Sequence, residues 1–106
     1  MPLLPPEPRL HHLQKYVAEL EVERGFDQQD ALQKCLLLGE EVGELFKAVR
    51  KATRMGVDSA ADLAPLADEL ADVLFYLCCI ANRFGVDLEQ GFRDKETKNA
   101  QRVWRS

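Results

Sequence analysis

Apolar positions along this chain recur every three or four residues, and three short breaks of one form interrupt them: Gly25-Phe26-Asp27, Gly56-Val57-Asp58 and Gly85-Val86-Asp87. Glycine suits the left-handed position that ends a helix, and aspartate suits the N-cap that starts the next. The apolar residue between them can turn back onto the core. The pattern predicts four helices, at about 9–24, 28–54, 60–84 and 88–103. Asp87 with Gln90, and Ser59 with Asp62, read as capping boxes. Pro65 falls near the start of the third helix, where proline is best tolerated. No strand-type alternation occurs, so the fold class is all-α.

The second helix is two-faced. Ala31, Cys35, Leu38, Val42, Leu45 and Val49 form one apolar stripe, and Glu40, Glu41 and Glu44 gather on roughly the opposite side. Leu36, Leu37 and Ala48 flank those acids, which makes the acidic side a poor match for a plain solvated face. The third helix goes further: residues 73–81 are apolar all round. Such a helix needs burial on every side, and one short chain of four helices can hardly surround it. The expected architecture is therefore a four-helix bundle completed by homo-oligomerisation, as a homodimer or homotetramer.

Length and composition narrow the class. At 106 residues the chain is read as a flexible lead at 1–8 followed by one domain at 9–106. A hydrophobic fraction of 46% with 30% charged residues is ordinary for a globular protein and argues against disorder. The net charge of −4 gives no general affinity for nucleic acid. The apolar run at 73–81 is too short to cross a bilayer, and the proline-bearing N-terminus has no secretory h-region. Cys35, Cys78 and Cys79 are odd in number and lie in apolar helical runs, which suits free thiols in a reducing, cytoplasmic setting. A zinc site is not expected: there is no Cys-x-x-Cys, and His11 and His12 read as solvent-exposed residues at a helix start.

The acids carry the chemistry. Glu40-Glu41-Val42-Gly43-Glu44 lies on the second helix and Glu69-Leu70-Ala71-Asp72 on the third. Glu41 and Glu44 are one turn apart, as are Glu69 and Asp72, so both pairs converge if the two helices pack antiparallel. Unpaired buried carboxylates are costly, and such a cluster asks for a cation. All-oxygen ligation without histidine suits Mg²⁺, with Mn²⁺ as a substitute. On the last helix Lys95, Lys98, Asn99 and Arg102 share one face and suit the anionic end of a phosphate-bearing ligand. The same cations also suit the C-terminal end of a helix dipole. Val103 and Trp104 read as packing residues. Acids that hold metal, together with cations that grip phosphate, describe a site for a polyphosphate.

Glu-Glu-x-x-Glu followed by Glu-x-x-Asp resembles the signature of the MazG-like all-α nucleoside triphosphate pyrophosphohydrolases. The resemblance runs from about Arg24 to Trp104, and takes in residues 24–27, residues 68–77 and the later Asp94-Lys95…Asn99…Arg102. It implies hydrolysis of a nucleoside triphosphate between its α- and β-phosphates, giving monophosphate and pyrophosphate, in the manner of a house-cleaning enzyme. It further implies that Glu41, Glu44, Glu69 and Asp72 ligate the metal. Glu40 would be a further ligand or the base that orients water. Lys95, Asn99 and Arg102, with Lys98, would contact phosphates, and Phe26, where related members often carry tryptophan, would lie against the base. Members are dimers or tetramers, often with sites built across subunits. Rival readings are a non-catalytic helical adaptor and, within the same fold, a phosphoribosyl-ATP pyrophosphohydrolase. A ferritin-like di-metal oxidase fails on sequence, because it needs Glu-x-x-His pairs and no histidine follows residue 12.

Overall fold

The structure is a computed structural model that describes residues 2–55 and 60–102. It contains four helices, α1 Leu10–Arg24, α2 Ala31–Met55, α3 Ala60–Arg83 and α4 Leu88–Ala100, and no strand among the described residues. The all-α expectation therefore holds. Gly25 and Gly85 are both left-handed, at φ 75° and 64°. Each is followed by an amide that reaches back to the helix just ended: Phe26 N–H donates to Glu21 O at 2.7 Å and Val86 N–H to Ala81 O at 2.9 Å. These are Schellman closures, and they place Phe26 and Val86 against the last turns of α1 and α3.

One cap differs from the sequence reading. The Gly-x-Asp pattern puts the start of the second helix at Asp27, whereas α2 starts one turn later. Its reciprocal capping box is Asp30 with Gln33, both bonds at 2.8 Å. Asp30 wins because Gln33 stands three residues on and can return the bond. At α4, Asp87 accepts from the Gln90 amide at 3.1 Å, but the Gln90 side chain turns forward to Asp94, so only half of that box forms. Pro65 lies in the second turn of α3 and withholds one helical amide there. The Gly56-Val57-Asp58 break and the Ser59–Asp62 capping box, like Val103 and Trp104, lie outside the described residues or side chains. His11 is exposed as expected, while His12 is half-buried and its ring nitrogen caps α1 by accepting from Arg9 N–H at 2.8 Å.

The helices α2 and α3 run antiparallel. Arg83, at the end of α3, bonds the Gln29 carbonyl just before α2, and Glu41 meets Glu69 and Asp72 midway. The face that α2 turns to α3 carries Lys34, Leu38, Glu41, Leu45 and Ala48, all buried or half-buried. The packed stripe is thus rotated from the one read off the sequence: Cys35 and Val49 are exposed, and Glu41 is enclosed. α1 crosses α3 through a small core of Val17, Cys78 and Cys79, flanked by Leu13, Tyr16 and Phe75. α4 packs on α1. Gln14 fixes that corner by bonding Asn82 Oδ1, the Val86 carbonyl and the Leu88 amide. The N-terminal lead lies along α1, with Leu4 beside Leu13, Tyr16 and Leu74 in an apolar recess.

Candidate active site

Antiparallel packing sets Glu41 of α2 opposite Glu69 and Asp72 of α3. One carboxylate oxygen from each lies within 4.8 Å of the other two. Glu41 and Glu69 are half-buried, and Asp72 is exposed at the rim. Burial pushes the Glu41 carboxyl up from its ordinary value. A hydrogen bond with Glu69 and the charges of Asp72, Glu69 and Glu44 add to the shift. Glu69 Oε2 is buried and has no hydrogen-bond partner. A buried acceptor left unmade costs free energy, and a cation among the three oxygens would satisfy it. Three close carboxylates, one orphaned acceptor and no nitrogen or sulfur donor fit a hard divalent ion.

The other residues singled out in the sequence are placed less closely. Glu44 is exposed one turn beyond Glu41, outside the group of three, although its charge still acts on Glu41. Glu40 is exposed, and its charge reaches Tyr76. Lys95 and Lys98 are exposed on α4, Asn99 donates to Glu96 at 3.3 Å, and the Arg102 amide caps against Asn99 O at 3.1 Å. α4 makes its packing contact with α1, whereas the acids stand on α2 and α3. Within one chain, the basic face belongs to an element whose main packing contact is with α1. Phe26 is 40% exposed at the α1–α2 connection.

Four neighbours of the site escape the sequence reading. Tyr76 follows Asp72 by one turn, and burial, followed by the charges of Glu41, Cys79, Asp72 and Glu40, pushes its phenol up. Beneath it Glu21 accepts two parallel bonds from Arg83, at 2.8 and 2.7 Å. Lys34 Nζ stands 3.1 Å from the same carboxylate. Burial alone would raise Glu21, but hydrogen bonds from Arg83, Lys34 and Cys79 outweigh it and hold the carboxyl below its ordinary value. Cys79 is driven up to about 12, first by burial and then by Glu21, so it stays a thiol. The signal for Glu21 was present in the sequence: it shares helical spacing with Gln14 and Val17 on the buried face of α1.

Two antiparallel helices carrying Glu41 against Glu69 and Asp72 coincide with a known domain. The MazG nucleotide pyrophosphohydrolase domain matches residues 29–104. The chain belongs to that family. It is 37% identical over 102 residues to dCTP pyrophosphatase 1 of Mus musculus, covering 92% of this chain and 60% of the mouse protein. The human protein of the same name is 36% identical with the same coverage. The chain therefore spans 60% of the length of these relatives. A crystal structure of iMazG from Vibrio DAT 722 aligns with a TM-score of 0.65 at 36% identity, covering 87% of this chain and 98% of that one. The MazG match begins at Gln29 and so includes both acid-bearing helices, while α1, which carries Glu21, precedes it.

Proposed function

We propose that this MazG domain is a Mg²⁺-dependent nucleoside triphosphate pyrophosphohydrolase that cuts between the α- and β-phosphates and releases monophosphate and pyrophosphate. The observation that carries the reading is the convergence of Glu41, Glu69 and Asp72 around an orphaned buried oxygen. These three, with Glu44 reaching in from the next turn, would hold the metal; Mn²⁺ would substitute. When bound, the metal would offset phosphate charge and acidify a water. Glu40, exposed beside the cluster, is assigned the base that orients the attacking water. Lys95, Lys98, Asn99 and Arg102 are assigned to the phosphates and Phe26 to the base. Similarity to the dCTP pyrophosphatases makes dCTP the first substrate to try and supports a house-cleaning role. Three free thiols suit a cytoplasmic setting, and no described helix is long and apolar enough to cross a membrane.

Because α4 docks on α1, we assign its cations to the acids of a neighbouring subunit. An apolar seam supports this: Leu63, Leu70, Leu74 and Leu77 on α3 are all exposed in the single chain. A homodimer or homotetramer would bury that seam and bring a second α4 to the carboxylates.

The test is a panel of canonical and damaged nucleoside triphosphates with Mg²⁺, assayed for pyrophosphate and monophosphate. Release of pyrophosphate is expected, with dCTP among the substrates. Orthophosphate as the product, or no release from any nucleotide, overturns the reading. Glu41→Gln should abolish turnover with helix content unchanged, whereas Glu40→Gln should lower turnover more than metal affinity.

A further inference from the structure

Two cations share one carboxylate beneath the site. Glu21 and Lys34 are each 1% exposed, and Glu21 is already neutralised by the bidentate grip of Arg83. Lys34 Nζ, 3.1 Å from that same carboxylate, therefore brings a second positive charge to one anion. Stability is a weak reason for it, since a buried ion cluster can often be replaced by well-packed apolar residues without loss. What Lys34 touches besides Glu21 supplies the reason. Its ammonium stands 5.2 Å from the centroid of the Phe26 ring and 5.6 Å from that of Tyr76, both within cation–π range.

These two rings come from different elements and have different surroundings. Tyr76 is within electrostatic reach of Glu41, Asp72 and Glu40, so it borders the acid cluster. Phe26 sits on the connection between α1 and α2 with 40% of its surface open. Arg83 fixes the backbone of that connection: its Nε donates to Gln29 O at 2.9 Å and its Nη2 to Phe26 O at 3.3 Å. The segment is thus held by its carbonyls from Arg83 and by its ring from Lys34. An open aromatic ring held in place in this way is a preorganised surface for stacking, with less motion to lose on binding.

We propose that Lys34, anchored by Glu21, is a positioning residue for nucleobase recognition: its ammonium holds the Phe26 ring in the orientation that stacks on the base. The proposal rests on the nucleoside triphosphate reading above and goes beyond it by assigning base discrimination to a buried ion cluster that touches no phosphate. Lys34→Met keeps an unbranched side chain, one atom shorter, and leaves the Glu21–Arg83 pair intact, so the fold is expected to survive. Lys34→Arg keeps the charge.

The experiment compares dCTP with 2-deoxyribose 5-triphosphate, which lacks a base, in the full chain with Mg²⁺. Stacking on an aromatic ring contributes enough for its loss to change KM about tenfold. Lys34→Met should raise the KM ratio of dCTP to the base-free compound about tenfold while kcat for dCTP changes much less, and Lys34→Arg should restore part of the ratio. In a double-mutant cycle, Lys34→Met should add little once Phe26→Leu is present, because both act through one ring. An unchanged ratio, equal KM changes for both compounds, or full additivity with Phe26→Leu overturns the proposal alone. So does loss of helix content in Lys34→Met, which would make the residue structural. A wild-type chain that cleaves neither these compounds nor any triphosphate of the panel overturns the pyrophosphohydrolase reading, and this one with it.

Discussion

At the residue scale, two glutamates in one small domain are pushed in opposite directions. Glu41, among other acids, is raised, chiefly by burial; Glu21, although more deeply buried, is lowered because Arg83, Lys34 and Cys79 all bond to it. The signs of their pH effects are opposite. A carboxyl whose folded pKa is raised contributes stability that is full below its unfolded value, near 4.5, and is lost as pH rises through the folded value. Without metal, Glu41→Gln should therefore gain stability relative to wild type as pH rises from about 4.5 toward neutrality. Urea midpoints in chelator across that range check this. Added Mg²⁺ should then stabilise wild type and leave the variant behind. A gap independent of pH would show that Glu41 is not held against its neighbours. Glu21 contributes stability that is present above its unfolded value and lost as pH falls. Glu21→Gln would leave Lys34 and Arg83 short of their anion and should cost about 3–5 kcal/mol.

Among the helices, α2 departs from the sequence pattern both in where it begins and in the face it packs. The capping box at Asp30 and Gln33 starts the helix, and this start leaves residues 26–29 as a connection that Arg83 can clamp. Asp30→Ala should lower stability by about 1 kcal/mol, while Asp27→Ala should stay within about 0.5 kcal/mol. Thermal melts of the two variants distinguish them; equal losses would mean that the cap is shared. The four helices were legible because periodicity and the Gly-x-Asp breaks are local signals. The rotation of α2 was not. Lys34 and Glu41 look polar in the sequence, yet both lie on the packed face, where Lys34 pairs with Glu21 and Glu41 faces Glu69 and Asp72.

For the whole molecule the decisive feature is how little is buried. A compact chain of this length has a radius of gyration of about 13 Å, against 16.4 Å here. The fully buried apolar residues are few among those described, while Leu70, Leu74 and Leu77 on α3 and Leu32, Leu36 and Phe46 on α2 remain open. Exposed apolar side chains in this number support the oligomer proposed above. Light scattering should give a dimer or tetramer for the wild type. The double variant Leu70→Glu with Leu74→Glu should shift it toward monomer and lose activity with it, if α4 of one subunit serves the acids of another. A monomeric wild type that is folded and active would remove the oligomer from the account.

The helices, the lack of a strand pattern, and the order and spacing of the two acid motifs that mark the MazG family could all be read along the chain, because helix signals and motif spacing are carried by near neighbours. Tertiary structure decided the rest. It selected Glu41, Glu69 and Asp72 from the five acids as the close group, and packed α4 on α1. It also joined Glu21, Lys34 and Arg83, residues far apart in the sequence, into one ion cluster. Such contacts depend on which faces meet when helices pack, and no stretch of sequence states that alone.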